Sequence, residues 1–129
     1  MKNVLILLAV LIALIPHSIN AQVKVSDFLI RCERVEFILQ NPASIIEKDR
    51  REFAWCAGFV SGILDGYNTG VLVKGDLTFA KSVSICPPEG ITDVHALLIS
   101  LRELRILPQK LNRNAATVLS AILSIKWPC

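Results

Sequence analysis

The sequence predicts an all-α fold: a small bundle of about four helices in two hairpins, stapled by two disulfides. Three observations lead to this prediction. Apolar residues recur with a period near 3.6 along four segments of the chain. Prolines interrupt the pattern between those segments, where a helix cannot continue. Four cysteines, an even number, lie in a short chain whose first residues resemble an export signal.

The first 21 residues have the layout of a secretory signal peptide. Lys2 precedes an unbroken apolar run from Val4 to Ile15, and the small residue Ala21 offers a cleavage site. A run of 12 apolar residues is too short to cross a hydrocarbon core of about 30 Å, so no stable membrane anchor is predicted. We expect cleavage between Ala21 and Gln22, which leaves a single helical domain over residues 22–129.

The first predicted helix of this domain spans residues 27–40. Its apolar stripe comprises Phe28, Cys32, Val35 and Leu39, at spacings of four, three and four. The step from Asn41 to Pro42 ends it, because the residue before a proline avoids the helical region and proline lacks the backbone donor.

The second predicted helix is the most hydrophobic one and follows the charged run 47–52. Its stripe comprises Phe53, Cys56, Val60, Ile63 and Tyr67. Small residues at spacings of four form a ridge along one side, namely Ala54, Gly58, Gly62 and Gly66. An interior helical glycine costs about 1 kcal/mol relative to alanine, so three of them suggest a packing reason. Close packing against another helix of the same chain is the expected reason, and close approach of a second subunit or a partner is the alternative.

The stretch 68–85 has no helical period and is the least regular part of the sequence. Residues 71–73 and 77–79 could pair as a short hairpin about Gly75, or the stretch could be an irregular loop. It offers both signs of charge and an aromatic edge, which suits contact with a protein. The candidate partner-binding residues are Tyr67, Asn68, Lys74, Asp76 and Lys81. A solvated connector is the competing interpretation.

Two further helices are predicted after Pro87 and Pro88. Thr92 is a suitable N-cap for the third, whose stripe comprises Val94, Leu97, Leu98, Leu101 and Leu104. Pro108 interrupts the pattern, and the fourth helix must end before Pro128. Its predicted apolar face comprises Leu111, Ala115, Val118, Ile122 and Ile125.

The four cysteines allow three pairings, and their spacing favours one of them. In an antiparallel helical hairpin, residues equally far from the turn lie opposite each other. The midpoint of Cys32 and Cys56 is position 44, in the first turn, and that of Cys86 and Cys129 is 107.5, at the Pro108 break. We therefore predict the disulfides Cys32–Cys56 and Cys86–Cys129.

Composition and motifs disfavour several classes of function. The net charge of +3 is too mild to indicate nucleic-acid binding. The chain has no CxxC pair, no cluster of metal ligands and no cofactor motif. His95, in the first turn of the third predicted helix, is expected to be an ordinary polar residue, since no nucleophile is recognisable to partner it. We do not expect an enzyme.

A series of motifs that contain cysteines, glycines and prolines extends along nearly the whole mature chain. They form the segment Cys56-Ala-Gly58-Phe59-Val-Ser-Gly62, the step Ile85-Cys86-Pro87, Pro108, and the closing Trp127-Pro128-Cys129. This pattern resembles the Rap/Tai family of periplasmic immunity proteins, which protect bacteria against amidase effectors of type VI secretion. The chain departs from the family pattern mildly, with Phe59 in place of a commoner tyrosine and Trp127 in place of phenylalanine.

The resemblance implies a small helical protein, often a homodimer, that binds a peptidoglycan amidase and blocks its active site without turnover of its own. An HdeA-like periplasmic acid-stress chaperone, which is also small, helical and disulfide-bonded, is the alternative. That class needs acid-triggered exposure of apolar surface, whereas the 11 carboxylates here are scattered along the chain. A small secreted enzyme is the third reading, and the sequence offers no nucleophile and base for it.

Overall fold

The computed structural model describes residues 22–74 and 85–129, and the predicted all-α class is confirmed. Within these ranges the β-structure consists of two isolated bridges. The α-helices are α1 (Val25–Arg31), α2 (Val35–Gln40), α3 (Glu47–Lys74), α4 (Asp93–Arg105) and α5 (Ala115–Lys126). Single 3₁₀ turns at Pro42–Ser44 and Pro108–Lys110 occupy the two proline breaks.

The prediction of one continuous helix over residues 27–40 is wrong, because a turn at 32–34 separates α1 from α2. The backbone N–H of Cys32 still donates to Phe28, whereas the N–H of Val35 donates to Cys32, three residues back. This tighter turn rotates α2 relative to α1. As a result Ile38, 5% exposed, joins the core in place of Leu39, which is 40% exposed.

The helix α3 is longer at its C-terminal end than the sequence pattern indicated. The backbone of residues 71–73 is helical, so the expected hairpin or irregular loop is wrong for residues 68–74. Residues 75–84, the rest of that stretch, lie outside the described residues. An established helix gains one hydrogen bond for each added residue, and this gain exceeds the weak preference of valine for strands.

The predicted cap of the third helix is confirmed. The Thr92 hydroxyl accepts a hydrogen bond from the backbone N–H of His95 at 3.3 Å and caps α4. Helix α5 begins in a similar way, because the side-chain oxygen of Asn114 accepts from the N–H of Thr117 at 2.9 Å. Both side chains satisfy backbone donors that the first turn of a helix leaves unpaired.

The predicted buried face of the last helix is wrong in part. Ala115 is buried as expected, but Leu111 precedes α5, and the other core positions of the helix are Leu119, Ser120 and Leu123. Val118 and Ile122 are only half-buried, and Ile125 is 81% exposed. Apolar residues surround most of α5, so its sequence period does not specify which side faces the core.

The core lies between α4 and the helices packed around it, which are α1, α3 and α5. Fully buried side chains from these four helices meet there, among them Phe28, Val60, Leu97, Leu101 and Leu119. The structure confirms both predicted disulfides, with Cα–Cα distances of 6.0 Å for Cys32–Cys56 and 5.1 Å for Cys86–Cys129. The first lies in the core, whereas both cysteines of the second are exposed.

Two short backbone pairings fix the ends of the described chain. Lys24 pairs with Asn114, and the N–H of Ala115 donates to Val23 at 2.8 Å. Ile85 pairs with Pro128, next to the Cys86–Cys129 disulfide. Both ends of α5 are therefore held by distant parts of the sequence. None of the helices in residues 22–74 and 85–129 combines the length and the hydropathy that a membrane-spanning segment needs.

Candidate partner-binding surfaces

An ion pair joins the turn before α2 to the first turn of α3. Arg34 donates two hydrogen bonds to the carboxylate of Asp49, at 2.9 and 3.2 Å. The Asp49 side chain is 6% exposed and that of Arg34 is 52% exposed. Two parallel hydrogen bonds to one carboxylate set both distance and direction. This pair therefore holds the turn at 32–34 against α3 in a defined orientation.

A cluster of aromatic rings connects α1 and α3. The Trp55 ring stacks on Phe59, with 5.3 Å between ring centroids, and Phe59 contacts Phe28 at 5.2 Å. The Arg31 guanidinium lies 4.0 Å from the Trp55 centroid and also forms an ion pair with Glu52. Trp55 is thus half-buried between the core and the ion pair of Arg31 and Glu52. Packing and cation–π attraction therefore explain why a tryptophan suits this position.

The small-residue ridge on α3 does not pack against another helix in the described part of the chain. Ala54, Gly58, Gly62 and Gly66 are all exposed. A Cβ atom built on Gly58, Gly62 or Gly66 would meet nothing within 4 Å among the described residues. The expected close packing within the chain is therefore not seen among the described residues, and we call the ridge the open strip of α3.

The candidate partner-binding residues lie at and beyond the end of α3. The backbone of Tyr67, Asn68 and Lys74 is helical, so these three belong to the last turns of α3 rather than to a loop. Asp76 and Lys81 lie outside the described residues. Of the predicted cleavage site, Gln22 is described and exposed, and Ala21 is outside the described residues.

His95 has a structural role at the start of α4. Its Nδ1 atom faces the backbone N–H of Thr92 at 3.4 Å, which completes a reciprocal capping box. His95 is exposed, and its part in the cap of α4 was not evident from the sequence. Across residues 22–74 and 85–129, no three histidine, cysteine or carboxylate side chains are grouped closely enough to hold a metal ion.

An open groove beside α5 is the surface that the sequence did not predict. We call it the α5 groove and define it by six of its lining residues, namely Leu107, Lys110, Arg113, Val118, Ile122 and Ile125. It encloses about 640 Å³ and starts near Gln22, at the N-terminal end of the described chain. Apolar residues on both sides of α5 are the signal for this groove in the sequence, whereas the predicted pattern places them on a single buried face.

A family model for Rap1a immunity proteins matches residues 24–129. The chain belongs to the Rap1a immunity protein family. This confirms the resemblance to the Rap/Tai immunity proteins. Comparison with curated proteins and with solved structures finds no match.

Membership of the Rap1a family indicates an immunity protein that binds a protein effector of type VI secretion. Several of the residues that carried the resemblance form the scaffold, since Cys56 and Cys86 are in the disulfides and Pro108 starts the turn before α5. Gly58 and Gly62 are different, because they lie on the open strip of α3. In this Rap1a family member, those two glycines are at the surface and have no packing role among the described residues.

Proposed function

We propose that this chain is a periplasmic immunity protein that binds a peptidoglycan amidase effector of type VI secretion and inhibits it stoichiometrically. The family match over residues 24–129 is the observation that carries the proposal. Peptidoglycan lies outside the inner membrane, so an inhibitor of an amidase has to be exported to meet it. The proposed inhibitor works by occupying the active site of the effector and performs no chemistry of its own.

Export is supported by the sequence of the first 21 residues and by the disulfides. Disulfides form and persist in oxidising compartments such as the periplasm, and both pairs in this chain are closed. Cleavage between Ala21 and Gln22 would leave the N-terminus beside the pairing of Lys24 with Asn114. N-terminal sequencing of protein recovered from the periplasm should begin at Gln22; a chain that still begins at Met1 would contradict export by cleavage.

The end of α3 is the proposed contact region for the effector active site. Tyr67, Asn68 and Lys74 continue the same helix that carries the open glycine strip, and Asp76 and Lys81 follow it in sequence. A strip of glycines and one alanine allows the backbone of another protein to come close to α3. Family resemblance also leads us to propose a homodimer, for which this strip is a suitable contact.

Protection of cells is the direct test. A strain that lacks this gene should lyse when a type VI amidase effector that the purified protein binds is directed to its periplasm. The full-length gene should restore growth, and a version without residues 1–21 should not, because it stays in the cytoplasm. An effector with its nucleophile replaced should harm neither strain. Equal growth with and without the gene, under active effector, would overturn the proposed function.

A further inference from the structure

The α5 groove has an apolar floor that the fold leaves uncovered in the described residues. Leu107, Val118 and Ile122 are half-buried there, and Ile125 is 81% exposed. Its volume of about 640 Å³ is within the range of about 300–1,000 Å³ of small-ligand pockets. Exposed apolar side chains grouped in one concavity mark interaction sites more often than single exposed residues do.

The charge of this groove has one sign. Among the described residues, Lys110 and Arg113 are the only charged ones that line it, and neither forms an ion pair with another described residue. Two other grooves differ from it. Glu36 and Arg102 both line the groove between α2 and α4, and both carboxylates and cations line the groove between α1 and α3. The α5 groove therefore attracts carboxylates, which the other two grooves do not favour.

The walls of the groove are held in place before any partner binds. The N–H of Val25 donates to the carbonyl of Arg113 at 3.0 Å, and the N–H of Ala115 donates to Val23 at 2.8 Å. The Asn114 cap then fixes the first turn of α5 between these two bonds. A preformed site loses little conformational freedom on binding, so more of the contact energy contributes to affinity.

We infer that the α5 groove binds an apolar segment of the effector that carries carboxylates at its edge. Apolar side chains of that segment would lie against Val118, Ile122 and Ile125, and its carboxylates would pair with Lys110 and Arg113. This inference rests on the proposed function and adds a second contact, distinct from the end of α3. A second copy of this chain fits less well, since a twofold contact would bring Lys110 and Arg113 of both copies together.

Affinity measurements with the purified amidase effector test this inference. We expect Ile125→Asp and Arg113→Glu each to raise the Kd for the effector at least tenfold. Ile46→Asp and Arg51→Glu are the matched controls, because they make the same changes at exposed positions outside the groove, and they should leave the Kd within twofold. The Arg113→Glu variant should also show a weaker loss of affinity with rising salt than the wild type.

Three results would contradict the inference that the α5 groove binds the effector. Groove variants that bind as tightly as the wild type, while the wild type inhibits the effector, would overturn the inference and leave the proposed function intact. A wild type that neither binds nor inhibits would overturn the proposed function and this inference with it. A wild-type dimer that Ile125→Asp dissociates, with effector affinity unchanged, would assign the groove to a second copy. Circular dichroism and thermal melting establish that each variant is folded.

Discussion

Arg34 holds the carboxylate of Asp49 with two hydrogen bonds, from Nε to Oδ1 at 2.9 Å and from Nη2 to Oδ2 at 3.2 Å. The two residues are 15 positions apart in sequence, and they join the turn after α1 to the start of α3. The same turn contains Cys32, whose disulfide reaches α3 at Cys56. The Cys32–Cys56 disulfide in the core and the Arg34–Asp49 ion pair at its edge therefore both hold the turn at 32–34 against α3.

Removal of the arginine should destabilise the fold more than an ordinary surface change does. Arg34→Ala leaves a nearly buried carboxylate without its donors, and we expect the free energy of unfolding to fall by about 1–3 kcal/mol. Arg50→Ala is the control, since its ion pair with Glu47 is 3.9 Å long and exposed on both sides, and it should change stability by less than about 0.5 kcal/mol. Urea denaturation under oxidising conditions measures both, and equal losses would contradict the structural role of Arg34.

Alanine at the glycines of α3 should stabilise the protein. Gly62→Ala adds a methyl group where nothing lies within 4 Å, and a helix interior favours alanine over glycine by about 1 kcal/mol. At protein concentrations where the chain is monomeric, the midpoint of thermal unfolding should rise by roughly 4–8 °C. Gly90→Ala is the contrasting variant: Gly90 has a φ of 86°, which alanine adopts with strain. A lower midpoint for Gly62→Ala would reveal a neighbour at the strip.

The two disulfides should differ in their sensitivity to reductants. Cys86 and Cys129 are exposed, whereas Cys32 and Cys56 are buried in the core. A thiolate must reach a sulfur atom to break the bond, so Cys86–Cys129 should open first under mild reduction. Alkylation followed by peptide mass spectrometry reports the order. Simultaneous opening of both bonds would show that global unfolding, rather than local access, controls the reduction.

The cap of α5 should contribute measurable stability. Asn114→Ala removes the acceptor for the N–H of Thr117, and the loss of an N-cap costs about 1 kcal/mol. Asn114→Ser keeps a side-chain oxygen at the same position and should retain most of the stability. Thermal unfolding of the two variants gives the comparison, and an equal effect of both would show that capping is not the reason for the loss.

Local patterns were sufficient to predict much of this protein. The existence of each long helix, the Thr92 cap, and both disulfides follow from residue spacing, because helical periodicity and the symmetry of a hairpin act over short distances. The scaffold motifs also led to the family. The end of α3 is not evident from the sequence, because valine and leucine at 71–73 are compatible with a strand or a helix.

The remaining features depend on contacts between distant segments. The turn at 32–34 exists where Arg34 meets Asp49 and Cys32 meets Cys56. The face that α5 buries is selected by the pairing of Lys24 with Asn114 and by α4, since the helix is apolar nearly all round. The helices, both disulfides and the family therefore follow from local patterns of residues. The outward position of the glycines of α3 and of Ile125 depends on the packing of distant segments, because that packing selects which face of each helix is buried.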